Sequence, residues 1–281
     1  MRREMNFQSL GSWWESNLSI SLLKIKETAA YRASMLISLL TGPIFIVFNY
    51  IIWKAIYGAS GTSLMGGFTF DQIVVYYVIM ALTNYFTWDD TEEDLAEKVE
   101  TGDLTSYLVK PISYIRYSFF NKMGHRTVAA LIEAFPVVLL VGIILGFGIF
   151  STRHMLEYAA TIVIAIVISF QIRLIVGLSA FWLTKPRGFI WLYRMSSGLL
   201  SGFIIPLTFF PPAIQGVLAY LPFQFTRFVP AQAFLGGYSL AGISLTPAGV
   251  MLYGLAYIVC LSAVTWCLWK LSVKRFCGVG T

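Results

Sequence analysis

Ionised side chains are scarce in this chain, so each one set inside an apolar stretch raises a chemical question. Of 281 residues only 12% are charged. Glu133, Arg173 and Arg194 fall within long apolar runs, where a charge is costly unless it is paired or faces water. Their positions allow Glu133 to pair with Arg173 or Arg194, either as a structural ion pair or as part of a polar pathway. Eight of the fourteen acidic residues crowd into 89–103, a density that suits a solvated helix face or a docking surface. Catalytic chemistry finds no support. His125 and His154 are expected on opposite sides of a bilayer and cannot share a metal ion. The serines lack a His/Asp set on their own side. No Gly-Lys-Ser/Thr phosphate loop is present, so the chain cannot hydrolyse ATP in the P-loop manner. Cys260, Cys267 and Cys277 lack metal-ligand spacing, and Cys260 and Cys267 share a helix face as small apolar packing residues. No catalytic residue and no metal site is expected.

The elements that carry these charges follow from composition. With 57% hydrophobic and 16% aromatic residues, the chain needs a bilayer as solvent. A net charge of +6 is spread over the ends of apolar runs and forms no stripe, so a nucleic-acid partner is not expected. A hydrocarbon core of about 30 Å takes around twenty apolar residues in a helix. Six stretches qualify: 33–57, 70–88, 127–150, 155–183, 188–210 and 250–271. Counting Lys and Arg beside them gives fifteen on the side of the N-terminus and three, Lys54, Arg153 and Arg227, on the other. Both termini are therefore expected in the cytoplasm. Counted inward, Glu133 and Arg194 lie roughly 10 Å from the cytoplasmic end of their spans, and Arg173 roughly 15 Å. Within 1–31, Leu10, Trp14, Leu18, Leu22, Ile25 and Ala29 make one apolar helical face, which predicts a helix lying in the interface rather than a signal peptide. Gly142 and Gly146, and the small residues Ser196 to Gly202, are expected to allow close helix packing.

The acidic stretch predicts a short cytosolic helix. Asp90 or Thr91 can cap it, with Glu93 or Asp94 completing a capping box. Gly102 can end it in the left-handed conformation. Asp103 can then cap a second short helix, 104–109, which Pro111 stops. An amphipathic segment, 113–124, leads along the interface into the third span.

The string Glu100-Thr-Gly-Asp-Leu-Thr-Ser-Tyr-Leu-Val-Lys-Pro-Ile112 resembles the cytoplasmic loop of the type-2 class of ABC exporter permeases. Glu100, Gly102, Leu104, Leu108, Lys110, Pro111 and Ile112 match that loop's pattern. The connection after the fifth span, with Pro206, Phe210, Pro211, Pro222, Phe223 and Pro230, resembles the class's external re-entrant hairpin. Between Pro211 and Gly249 it is largely apolar, with Arg227 its single charge, which fits partial burial.

The resemblance implies an all-α membrane protein of six transmembrane helices, with an N-terminal interfacial helix, a cytosolic coupling loop over 89–126 and an external re-entrant region over 211–249. It implies a permease subunit in a plasma (inner) membrane, working with two copies of a separate ABC-type ATPase and a second permease chain, identical or related. ATP and magnesium would bind the ATPase, and no cofactor this chain. Glu97, Glu100, Gly102, Asp103, Leu104, Tyr107, Leu108, Lys110 and Pro111 would face the ATPase. The proline- and phenylalanine-rich positions would form an external gate. The substrate would be amphipathic or hydrophobic, with membrane lipid as surroundings. Two rivals are an ATP-independent secondary transporter or channel and a lipid-modifying enzyme. The first should show inverted repeats or broken helices at mid-membrane, and the second a His/Asp/Glu cluster at one interface. Neither pattern is evident.

Overall fold

The computed structural model describes residues 18–23, 32–146 and 152–276, and most of them are helical. The helix expected over 1–31 is thus described only at 18–23; Cys277 and the side chain of His154 lie outside the described residues. In chain order the elements are α1 (Arg32–Ser60), α2 (Phe70–Thr87), α3 (Thr91–Thr101), α4 (Leu104–Leu108), α5 (Tyr114–Leu145), α6 (Thr152–Leu178) and α7 (Pro186–Leu200). Then follow α8 (Pro212–Ala219), α9 (Phe228–Leu235), a hairpin of β1 (Tyr238–Leu240) and β2 (Ile243–Leu245), and α10 (Pro247–Arg275). The hairpin departs from an all-helical chain. Its turn places Ala241 at φ 55° and Gly242 at φ 76°, the two positive values a tight type I′ turn requires.

Among the described residues, three segments are long and apolar enough to cross a bilayer: Leu39–Ser60, Met155–Phe181 and Pro247–Arg275. A fourth is possible only as a bent pair, Tyr114–Thr127 with Ile132–Ile143, at 42°. The bend precedes Pro136, which has no N–H to donate and whose ring crowds the carbonyl four residues back. By length and composition, then, three or four of the six expected stretches qualify among the described residues. The other two, 70–88 and 188–210, fall outside that test for physical reasons. Helix α2 has 18 residues but is diluted by Asp71, Gln72, Asn84 and three tyrosines. The stretch expected as 188–210 is α-helical only to Leu200, so α7 has 15 residues and reaches about 22 Å.

Burial sorts the helices into an inner and an outer set. Helix α2 is packed on every side, with Ile73, Tyr76, Tyr77, Ile79 and Met80 at 2% exposure or less. The apolar window of α6 is 61% buried, against 22% in the α1 segment and 17% in α10. The two outer helices therefore present apolar faces that need a non-aqueous surrounding. The segment at 18–23 crosses α5 backbone to backbone. Ser21 Oγ donates to the Phe120 carbonyl at 2.9 Å, and a Cβ on Gly124 would stand 2.5 Å from the Ser21 carbonyl oxygen. Helix α5 leads from the segment read as interfacial into the segment read as a span, with the 42° bend between them.

After α7 the chain unwinds through Gly202, at φ +78°. Tyr76 Oη donates to the Gly202 carbonyl at 2.7 Å and Tyr77 Oη to that of Ile204 at 2.9 Å. Gln215 then staples the turn, donating to the Thr208 and Phe210 carbonyls at 2.9 and 2.7 Å. These side chains satisfy backbone groups that no helix supplies. The returning stretch from Gln224 to Gln232 is buried.

Candidate functional site

Helix α3 carries acid on both of its faces. Thr91, Glu92, Leu95 and Ala96 are buried while Glu93, Glu97 and Glu100 are exposed. The buried stripe is the i, i+3, i+4 face that docks, and Glu92 lies within it at 0% exposure. A carboxylate so placed requires partners. Arg173 supplies one from α6, with Nη1 3.0 Å from Glu92 Oε1 and 2.7 Å from the Asp89 carbonyl oxygen. Arg194 supplies the other from α7, with Nε 2.8 Å from the same Oε1 and Nη2 2.9 Å from Glu93 Oε2. Both guanidiniums lie over the Trp88 ring, at 5.0 and 5.7 Å from its centroid. The approach is close because Gly177 faces α3: a Cβ there would sit 3.0 Å from the Glu92 backbone. One acid therefore ties α3 to two other helices.

This arrangement corrects the expected pairing. Arg173 and Arg194 do meet an acid, but it is Glu92 and not Glu133. The sequence contained a signal for it, an acid embedded in the Leu95–Ala96–Val99 stripe of a helix otherwise acidic on its outer face. The local capping also differs. Neither Asp90 nor Asp103 makes a side-chain cap bond. Asp89 does the work from one residue earlier, its Oδ1 accepting from Thr91 N–H at 2.9 Å. Gly102 ends α3 as expected, at φ +81° and ψ −2°.

The residues expected to face an ATPase divide into two groups. Glu97, Glu100, Asp103, Leu108, Lys110 and Pro111 are exposed, as is Val109 at 79%. Gly102 is half-buried. Leu104 is wholly buried, against Leu95, Leu174, Leu178 and Tyr114, so it anchors α4 from inside and cannot touch a partner. Tyr107 is half-buried on the Tyr114 and Tyr117 rings, with Lys110 Nζ 4.6 Å above its own. Glu100 meets Arg187 at 3.4 Å on the surface.

In the segment read as an external gate, Pro206 and Pro230 are buried, Pro211 is exposed, and Phe210, Pro222 and Phe223 are half-buried. Gly146, expected to help helices pack, ends α5 with no described residue within 4 Å of its Cβ position.

Between α1, α2, α5 and α7 lies a cleft of about 640 Å³. Glu133 lines it together with Arg126, Arg194 and Arg227, so the expected charge cluster is only partly assembled there. Arg227, the single charge of the connection expected to be partly buried, also lines the cleft. It is 6% exposed, with Nη2 2.9 Å from Asn84 Oδ1 and Nη1 3.2 Å from Ser201 Oγ. The returning chain folds it inward, whereas the charge count had assigned it only to the side opposite the N-terminus.

Comparison with known proteins follows the same outline. No curated protein matches the chain. The family described as ABC-2 family transporter protein matches residues 22–280. A match over nearly the whole length, on a mostly helical chain with three or four bilayer-length apolar segments, means that this protein belongs to the ABC-2 transporter family, as its membrane-embedded transport component.

Proposed function

We propose that this chain is the permease subunit of an ATP-driven exporter. It works with two copies of a separate ABC-type ATPase, which bind ATP and magnesium, and with a second permease chain. Six membrane-embedded segments, both termini in the cytoplasm of a plasma (inner) membrane, complete the reading. The substrate is amphipathic or hydrophobic and passes along the permease helices. The exposed side chains of 97–111, Leu104 excepted, dock on the ATPase, and the apolar segment 206–230 gates the outer end.

The observation that carries this reading is the Glu92 node. Closure of an ATPase pair must be converted into motion of membrane helices, which requires a stiff connection between the docking surface and the spans. Helix α3 offers an exposed acidic edge on one side and, on the other, a buried carboxylate held by α6 and α7 together. Buried, hydrogen-bonded ion pairs are geometrically demanding and do not slide. A push on α3 is thereby delivered to two helices at once.

The test is purification of the tagged chain in mild detergent from its own membranes, with co-purifying proteins identified by mass spectrometry. The reading expects an ABC-type ATPase in near-equal amount, lost when Val109 and Lys110 are both changed to Asp while the chain stays monodisperse. A stable chain free of any ATPase under several extraction conditions would overturn it in favour of an ATP-independent transporter.

A further inference from the structure

We infer that the cleft between α1, α2, α5 and α7 binds the anionic headgroup of an amphipathic molecule, a phosphate or carboxylate carried on an apolar tail. Calling this molecule the cargo rests on the permease reading; its binding does not.

The charge inventory of the cleft carries the inference. Arg194 is neutralised by Glu92 and Glu93. Arg227 is not comparably matched. It is 94% buried by its 6% exposure, and its hydrogen-bond partners, Asn84 and Ser201, are neutral. Its Nε has no hydrogen-bond partner. The guanidinium lies 4.9 Å over the Phe203 ring, a contact that orients a cation without cancelling its charge. Arg126, also in the lining, has a buried Nε with no hydrogen-bond partner among the described residues. With Arg194 matched elsewhere, Glu133 is the one acid among the described lining residues against Arg126 and Arg227. A buried cation without a counter-ion is unstable unless something anionic completes it. Guanidinium groups bind phosphate and carboxylate in a fork that fits both.

The rest of the lining selects an amphiphile over a small ion. Tyr85, Trp88, Met195, Phe203 and Ile204 make much of the wall, and the volume is in the range of organic ligand sites. Met195 and Ile204 are each 52% exposed, beside Leu199 at 42%. An apolar tail can therefore leave the cleft along a surface that already needs lipid.

The purified permease with its bound ATPase is titrated, in detergent, with dihexanoyl phosphatidylglycerol, dihexanoyl phosphatidylcholine, hexanoate and inorganic phosphate, and thermal unfolding is followed. Saturable stabilisation by the phosphatidylglycerol or by hexanoate, and not by the other two, is expected. Arg227→Gln should weaken it about ten-fold or more, the loss of one charged hydrogen-bonding partner, and Arg227→Lys less. Should Arg227→Gln not fold, Ser197→Trp fills the cleft and is expected to abolish the response in a chain that still elutes as a single species. Equal stabilisation by both lipids would overturn anion recognition. Stabilisation by inorganic phosphate at the same concentration would overturn the amphiphile and leave a free-anion site. No response to any of the four, with the ATPase still bound, would overturn the cleft site and leave the permease reading standing; absence of the ATPase would count against that reading instead.

Discussion

Arg173 and Glu92 stand 81 positions apart in the chain and meet at 3.0 Å, with side-chain exposures of 4% and 0%. The same Glu92 oxygen also receives Arg194 at 2.8 Å. Replacing Glu92 by Gln keeps the shape but leaves two guanidiniums around a neutral amide. Breaking a buried pair from one side costs about 3–5 kcal/mol, and Arg194, at 24% exposure, recovers some of this through water. Glu92→Gln should therefore destabilise the chain by about 3 kcal/mol in denaturant unfolding in detergent. Glu133→Gln, outside this node, should cost under about 1 kcal/mol. Equal effects would mean that Glu92 is not the anchor.

Gly177 makes that anchor possible. Its missing Cβ would lie 3.0 Å from the Cα and carbonyl oxygen of Glu92 and 3.2 Å from Leu95 Cβ. Backbone cannot give way as a flexible side chain can. Gly177→Leu should push α3 off α6 and cost about 1–3 kcal/mol as an overpacking change. Amide hydrogen exchange gives the local readout. Residues 91–101 should exchange faster in the variant, while α2, at the centre of the molecule, should not change. Unchanged protection in α3 would show that the two helices are not held together there.

Much of this architecture was legible in the sequence, and what was not has definite causes. Gly102 was recognisable because a left-handed helix end leaves few alternatives to glycine. The acidic helix was recognisable because charge density survives any fold. Glu133 was chosen as the partner of Arg173 and Arg194 because linear depth places the three at similar levels, yet depth says nothing of azimuth around a helix. Glu92 was passed over because it lies in a loop, and loops are expected to be wet. Leu104 was assigned to a docking surface by motif alone, although its apolar side chain is better placed inside against Leu178. Arg227 illustrates a separate limit. An apolar connection fits partial burial, but the partners that Arg227 finds, Asn84 on α2 and Ser201 after α7, cannot be read from spacing along the chain.

Gly102 offers a graded test of the docking loop. At φ +81° an alanine is strained by about 1–2 kcal/mol, whereas asparagine tolerates this region better. The strain falls at the joint between α3 and α4, so it should re-aim the exposed edge carrying Leu108, Val109 and Lys110 without disturbing the buried face. Gly102→Ala should reduce co-purification of the ATPase more than Gly102→Asn does, with global unfolding shifted by no more than the strain itself. If both variants retain the ATPase fully, the orientation of α4 is not what the partner reads.

The unwound stretch after α7 depends on Tyr76 and Tyr77, whose hydroxyls answer the Gly202 and Ile204 carbonyls. Unanswered carbonyls are tolerated poorly where water is excluded. Tyr76 is wholly buried, so in Tyr76→Phe the Gly202 carbonyl loses its hydroxyl partner, at about 1–3 kcal/mol. The Tyr77 bond is only partly buried, and Tyr77→Phe should cost less because water or detergent can reach Ile204, itself 52% exposed. A cysteine placed at Ile204 reports the outcome through its rate of labelling by a water-soluble maleimide. Labelling should accelerate in Tyr76→Phe, as the turn loosens, and accelerate further when Tyr77 is also changed. Because both hydroxyls hold one turn, the double variant should cost less than the sum of the two singles; strict additivity would instead mean that the two carbonyls are held independently and that the turn is not a unit.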